Sequence, residues 1–352
     1  MSRIGVNALY LIPGGVGGTE IYLRNLLGAL AELDCTNEYV IFTNRETGRD
    51  FVPERANFTW APQPVRAVFR PSRILWEQLV LPLAIRRHRV EVLFNPGFTA
   101  PILCGCPQVT VFHDLQHKRH PEYFRWFDLP FWRLLLWASA HRSSRLIAVS
   151  ASTRDDLLRF YGVPAEVVHH GVEPRFLEIA EMRQPSDYIL CVSTLHPHKN
   201  LDRLLRVYAQ TPGLPQLIIT GLKGFAAKEI GKLASVHVRI TGWIPREELY
   251  ELFRGACAFI YPSTFEGFGM PVLEAMAAGI PLACSDIPPL REIAGSTVVY
   301  FNPESDGEIA GALKSVVGSP DAGMVEAARR RAAEFTWEKA AQATLRVLLS
   351  QT

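Results

Sequence analysis

The stretch Ser263-Thr-Phe-Glu266-Gly-Phe-Gly269-Met-Pro-Val-Leu-Glu274-Ala-Met-Ala-Ala-Gly279-Ile-Pro281 decides how this chain is read. It follows a short apolar run, Ala258–Tyr261, and its glycines give way to a helical period, so the segment reads as strand, glycine-bearing loop and helix. Met270, Leu273 and Ala277 are the expected buried stripe of that helix. Glu266 falls in the loop and Glu274 in the helix, beside Phe265, Phe268 and Pro271. A carboxylate in so apolar a segment is costly to bury without partners, and sugar hydroxyls are a fitting destination for both. Two surface glutamates fit poorly with such neighbours.

Outward from this block the same pattern repeats. Strand-like runs are expected at Tyr188–Val192, Gln216–Thr220, His237–Thr241, Pro281–Ala283 and Val298–Tyr300, with helices between several of them. An earlier series begins with Ile4–Leu11, a glycine turn and a helical period through Ile21, Leu23, Leu26, Leu27, Leu30 and Leu33. It continues at Glu38–Thr43, Glu91–Phe94, Gln108–Phe112, Arg145–Val149 and Val167–His169. Such alternation implies an α/β chain with two parallel sheets covered by helices. The expected division is residues 1–180, 181–335 and a last helix at 336–352, with a hinge at 174–185 where two prolines bracket a polar segment.

The chain has 352 residues, 48% hydrophobic and 20% charged, a composition that fills two cores and excludes disorder and disulfide-stapled mini-proteins. A formal charge of +2 excludes general nucleic-acid binding, so any basic function is local. One basic run stands out. Arg66, Arg70, Arg73, Arg86, Arg87 and Arg89 are opposed only by Glu77, with Phe69 and Trp76 interleaved, and read either as a solvated helix face or as a contact for anionic lipid headgroups or a lipid-linked phosphate. The six cysteines include no C-x-x-C pair and read as scattered apolar fillers in a reducing cytosol. No apolar run approaches the length of a membrane span, and Ile4–Ile12 reads as a first strand rather than a signal core.

Three further segments carry chemistry. Pro13-Gly14-Gly15-Val16-Gly17-Gly18 joins a strand to a helix; glycines there allow close backbone approach to an anion, yet the spacing is not a dinucleotide fingerprint and suits a tight turn equally. Val109-Thr-Val-Phe-His113-Asp114 ends an apolar strand on two polar residues, the position that faces the ligand crevice of an open parallel sheet. His117 and His120 follow, but Pro121 and the post-strand position weigh against a zinc site. Val192-Ser-Thr-Leu-His-Pro-His-Lys199-Asn200 leads from a strand to a helix that Asn200 could cap, and spacing alone does not choose between a diphosphate contact and a surface lysine at Lys199.

Taken together these motifs resemble glycosyltransferase family 4, retaining enzymes of the GT-B fold, nearest to bacterial mannosyl- and rhamnosyltransferases of surface-polysaccharide assembly. The spacing Glu266-x7-Glu274, the glycine turn, His113-Asp114, the loop ending in Lys199, Gly242-Trp-Ile-Pro-Arg-Glu-Glu-Leu and Phe335-Thr-Trp-Glu occur in the family's order along nearly the whole chain. The resemblance implies two Rossmann-like domains around one cleft, with the last helix returning to the first domain. It implies that Glu266 contacts the donor sugar, Glu274 the nucleotide ribose and Lys199 the diphosphate, with His113 beside the transferred sugar; His113, Glu266 and Lys199 are the expected catalytic set. Gly14, Gly15 and Gly17 approach the donor from the first domain, with Asp114. Gly267, Phe268, Gly269, Met270 and Pro271 line it from the second, with Thr194, His198, Gly221, Gly242 and Trp243.

Many family members place an arginine at the position of Thr194, and a subgroup places one at His198; here Lys199, or an arginine elsewhere, takes that charge. The chemistry implied is front-face attack by an acceptor hydroxyl, with amides, a lysine and a helix N-terminus stabilising the departing diphosphate and no cofactor or metal required. GDP-mannose is the first donor expected, with UDP-glucose or UDP-N-acetylglucosamine, or donor binding without catalysis, as alternatives. The expected acceptor is a glycan or a sugar on a polyprenyl-diphosphate carrier, which gives the arginine run and Trp126, Phe131 and Trp132 an interfacial role. The expected location is the cytoplasm, peripheral at the inner face of the membrane. A 2-epimerase of the same fold matches the glutamate block less well, and no acidic residue follows the glycine turn as an NAD oxidoreductase needs.

Overall fold

Short apolar runs separated by amphipathic helices pair as parallel strands, because each helical crossover returns the chain to the same end of its sheet. The computed structural model describes residues 1–15, 17–222 and 237–351; Val16 of the glycine turn lies outside them. The chain divides into a unit of residues 1–171 with 337–352 and a unit of residues 172–336.

The first unit holds β1 (Arg3–Asn7), β2 (Glu38–Thr43), β3 (Phe58–Pro62), β4 (Val92–Asn95), β5 (Gln108–Phe112), β6 (Arg145–Ala148) and β7 (Glu166–Val167), all parallel, in the order β3-β2-β1-β4-β5-β6-β7. β3 is absent from the expected runs. Its sequence, Phe58-Thr-Trp-Ala-Pro62, ends on proline and leaves Thr59 and Trp60 exposed, a pattern tolerated because the strand lies at the sheet edge. The helix Trp337–Leu349 packs on the helix Gly18–Leu33 of this unit, with Trp337 and Thr344 against Tyr22.

The second unit holds β8 (Tyr188–Val192), β9 (Gln216–Thr220), β10 (Val238–Gly242), β11 (Ala258–Tyr261), β12 (Leu282–Ser285) and β13 (Val299–Phe301), again parallel, in the order β10-β9-β8-β11-β12-β13. The chain enters it after Gly171, ahead of the 174–185 stretch read as a hinge. That stretch contains the helix Pro174–Glu181, whose Phe176 and Ile179 are buried against the helices Arg246–Gly255 and Met270–Ala277. The helix Met270–Ala277 is buried from Val272 through Ala277 rather than along one stripe, as befits a helix covered by neighbours on several sides.

In each sheet the strand order reverses once, between β1 and β4 and between β8 and β11. The loops leaving the carboxyl ends of the strands at such a reversal diverge and open a crevice, which is where ligands bind in open α/β sheets. The first reversal is filled by side chains. Glu77 (1% exposed) accepts hydrogen bonds from Asn7, Thr99 and Arg73, and Asn7 also donates to Asn95. Arg73 is therefore buried against Glu77 and does not belong to the surface run in which the sequence placed it, whereas Arg66, Arg70, Arg86, Arg87 and Arg89 are exposed. Glu77 lies one helical turn beyond Arg73, a spacing that makes a pair equally well inside or outside a fold.

Candidate active site

At the second reversal, β8 runs into Ser193–Lys199 and β11 into the loop before the helix Met270–Ala277. The two loops are tied together by one carbonyl: that of His198 accepts from the Thr264 amide (2.8 Å) and from the hydroxyls of Thr264 (3.0 Å) and Ser263 (3.2 Å). The next residue, Lys199, is thereby set opposite Glu266. Its Nζ donates to Glu266 Oε1 at 2.6 Å and to the Tyr261 hydroxyl at 3.0 Å, and that hydroxyl donates to the same Oε1 at 2.8 Å. Tyr261 ends β11 and is fully buried, and burial followed by the Glu266 charge pushes its phenol well above the usual range, so it serves as a donor. Sequence reading missed it; a tyrosine closing an apolar strand at its carboxyl end is the signal.

Asn200 stands at the start of the helix Leu201–Ala209 with φ 55°, but its side chain does not cap that helix. It donates instead to the carbonyls of Pro262 (3.2 Å) and Pro303 (2.8 Å), pinning the Lys199 loop from below. His196 and His198 share a hydrogen bond between their Nδ1 atoms at 2.7 Å, and burial and the nearby Lys199 hold His196 below the usual imidazole range. Thr194 is half-buried in the same loop, and its carbonyl accepts from the His196 amide. Gly221 has φ 148°, and a Cβ there would stand 2.2 Å from the Ser193 carbonyl oxygen, so only glycine lets this turn lie against the loop after β8. Gly242, at φ 76°, closes β10 and receives the Gly221 amide at 3.0 Å, and Trp243 beside it is exposed.

Gly267 and Phe268 continue from Glu266, with Phe268 buried edge-on to Phe335. Gly269 adopts φ 107° as the residue before the helix, and a Cβ there would meet Leu290 Cδ2 at 2.4 Å. Met270 and Pro271 form the first helical turn, where the missing proline N–H costs nothing. Deeper in this helix Glu274 is 5% exposed, and its Oε1 accepts from Arg246 at 2.8 Å. Arg246 also donates to Glu173 Oε1 at 2.5 Å, and the Tyr250 hydroxyl donates to Glu173 Oε2. Burial raises the Glu274 carboxyl above the usual range, opposed by the Arg246 charge. The two glutamates thus carry protein cations of their own, Lys199 and Arg246, where the sequence had assigned them to hydroxyls alone. Arg246, Glu173 and Tyr250 were not singled out beforehand.

In the first unit the Gly14 amide donates to Glu20 Oε2 at 2.8 Å and the Gly15 amide to the Ile12 carbonyl at 2.8 Å. Gly14 and Gly17 take positive φ, 70° and 60°, ahead of the helix Gly18–Leu33. The Gly14 amide expected to meet an anion therefore meets a carboxylate from the helix's own first turn. His113 follows β5 and is buried edge-on to Tyr22, with centroids 4.9 Å apart, and against Phe98. Its Nε2 lies 2.8 Å from the Pro96 carbonyl, an acceptor only, so Nε2 carries the proton. Burial lowers its pKa to about 4, against the Pro96 hydrogen bond, so it is neutral at pH 7. Asp114 Oδ1 accepts from the Gln116 amide and starts the turn Gln116–Arg119. His117 bonds Tyr161 and His120 bonds Glu122, so the three histidines turn to separate partners, and among the described residues no cluster of His, Cys, Asp or Glu could hold a metal ion.

The family model described as Glycosyltransferase Family 4 matches residues 16–176 and that described as Glycosyl transferases group 1 matches residues 174–334. The chain is 32% identical over 309 residues to glycogen synthase of Mycobacterium tuberculosis, covering 81% of this chain and 73% of that protein. It is 26% identical over 302 residues to O-antigen chain mannosyltransferase B of Escherichia coli, covering 79% and 77%. Sucrose-phosphate synthase from Thermosynechococcus elongatus superposes with a TM-score of 0.81 at 17% identity over 99% of both chains, which establishes the fold. Two parallel-sheet Rossmann-like units, the paired glutamates on the second of them and these matches lead to one assignment: the chain belongs to the family 4 glycosyltransferases of the GT-B fold.

Proposed function

We propose that this glycosyltransferase moves a hexosyl residue, mannose from GDP-mannose first among the candidates, with retention onto a glycan or a polyprenyl-diphosphate-linked acceptor during cell-surface polysaccharide synthesis. The observation that carries the reading is the Lys199–Glu266 pair at the second sheet's reversal, 2.6 Å apart and still 13% and 11% exposed, above a glycine loop and a helix N-terminus. When a sugar nucleotide binds, its diphosphate draws the ammonium of Lys199, and the carboxylate of Glu266 turns to sugar hydroxyls. The amides of Gly267, Phe268 and Gly269 and the N-terminus of the helix Met270–Ala277 stabilise charge as the diphosphate departs. Arg246 donates to one carboxylate oxygen of Glu274, and the other oxygen of Glu274 serves the nucleotide ribose. His113, neutral and committed through Nε2 to Pro96, orients its surroundings and transfers no proton from that nitrogen. The mannose assignment leans on the similarity to the Escherichia coli mannosyltransferase.

The basic face supports an interfacial acceptor. Exposed Arg66, Arg70, Arg86, Arg87 and Arg89 adjoin exposed Phe69, Leu75, Leu79 and Leu83, and Trp126, Phe127, Phe131 and Trp137 are exposed on the same unit. Arg70 lies over the Trp132 ring at 5.1 Å. Among the described residues no helix is long and apolar enough to cross a membrane, so adsorption of this face is the mode of contact proposed.

Calorimetry with GDP-mannose, UDP-glucose and UDP-N-acetylglucosamine, with and without EDTA, tests the donor. Selective binding of GDP-mannose indifferent to EDTA is expected. Preference for a UDP-sugar overturns the donor, and binding without transfer to any acceptor overturns catalysis.

A further inference from the structure

We propose that Cys104 and Cys106 form a redox-active dithiol, a modification site at which the chain is reversibly oxidised to an intramolecular disulfide by exchange with a low-molecular-weight disulfide. Their sulfurs are 3.6 Å apart across Gly105, in the loop that enters β5. Both are half-buried, packed with Trp76 and Ala84 against the core. Forming the disulfide closes this contact to a bond of about 2.05 Å, and the intervening glycine leaves the turn free to tighten. A Cβ on Gly105 would meet Arg86 Nε at 3.2 Å, so a guanidinium lies over the turn between the two sulfurs. A cation there favours the thiolate, which is the nucleophile in exchange.

The pair is also asymmetric. The hydrogen bond between the sulfurs and the Arg86 charge lower the Cys104 thiol, while the same bond and burial push Cys106 up. Cys104 is accordingly the attacking sulfur and Cys106 the resolving one. The Cys104 thiolate attacks one sulfur of the external disulfide and expels a thiolate. Cys106 then loses its proton to solvent and attacks Cys104 Sγ, expelling the second thiolate. The protein gives up two hydrogens, and its two electrons reduce the external disulfide to two thiols. The dithiol sits at the amino end of β5, whereas His113 follows the carboxyl end, so serine variants keep transferase activity in the reduced state.

The test is a redox titration of the full chain in glutathione buffers of rising oxidised fraction, followed by acid quenching, alkylation in denaturant and peptide mapping. The expected result is that Cys104 and Cys106 lose alkylation together and regain it under dithiothreitol, while Cys191 and Cys284, both buried, stay reduced. Cys106→Ser should trap glutathione on Cys104, and Cys104→Ser should trap far less on Cys106. Alkylation of both cysteines throughout the series, or their independent loss, overturns the proposal. Should a variant misfold by circular dichroism, the wild-type titration alone decides.

Discussion

Two acid–base pairs occupy the same topological position in the two units and differ in what surrounds them. Arg73–Glu77 sits where β1 and β4 diverge, 7% and 1% exposed, and Glu77 is closed in by Asn7, Thr99 and Gln78 as well. Lys199–Glu266 sits where β8 and β11 diverge, 13% and 11% exposed, with Tyr261 as its one further side-chain hydrogen-bond partner among the described residues. A buried pair whose carboxylate already accepts from four side chains holds two strand ends together and leaves little for a ligand. A pair at the mouth of a glycine loop keeps orbitals and space to exchange a protein partner for a substrate one. The same charges at the same place in the fold thus serve structure in one unit and, in the function proposed above, chemistry in the other.

Breaking the structural pair should have the largest effect. Glu77→Ala leaves Arg73 buried without its carboxylate and is expected to cost about 3–5 kcal/mol in denaturant unfolding, with turnover per folded molecule retained. Loss of turnover without loss of stability would reverse the roles assigned to the two pairs. Lys199→Met and Glu266→Gln should do the opposite, lowering transfer by about 10²–10³-fold at an unchanged melting temperature, the scale of one lost charge-stabilising donor.

The neutral His113 sharpens the contrast through pH. Its folded pKa, about 4, lies below the ordinary value of 6.5, so the unfolded chain binds the proton more tightly. Its contribution is fully present above pH 6.5 and is lost as pH falls toward 4, at most about 3 kcal/mol for this residue. His113→Phe should flatten the stability–pH slope in that window; an unchanged slope would assign the acid sensitivity to other groups. The smallest effect is expected at Glu274→Gln, which leaves Arg246 its bond to Glu173. A lost charged hydrogen bond of about 1.5–3 kcal/mol should raise the donor KM about 10- to 150-fold with kcat nearly held. A fall in kcat alone would place Glu274 nearer the reacting atoms than the ribose.

Much of this was legible because it is local. The strand, loop and helix around Glu266 and Glu274, the glycines at 267 and 269, and Lys199 at the end of a strand-exit loop are all written within short windows. What escaped was non-local or ambiguous by spacing. Arg246 meets Glu274 and Glu173 only after three helices have packed, although an arginine in the first turn of a helix, where the dipole disfavours a cation, was a clue. The run Arg66 to Arg89 gave no sign that Arg73 alone turns inward, since the spacing to Glu77 suits a surface pair as well. Residues 174–185 read as a hinge because prolines bracket them; the first proline starts the helix Pro174–Glu181, whose Phe176 is fully buried. Cys104 and Cys106 read as fillers because sequence proximity does not reveal sulfur contact.

The most direct test of the account is calorimetric titration of the preferred sugar nucleotide, in EDTA, into the wild-type chain and Lys199→Met. The account predicts that Lys199→Met weakens binding tenfold or more while its unfolding transition matches the wild type. Equal affinity in the two proteins would contradict it, and would move the donor's diphosphate away from the pair at the second sheet's reversal.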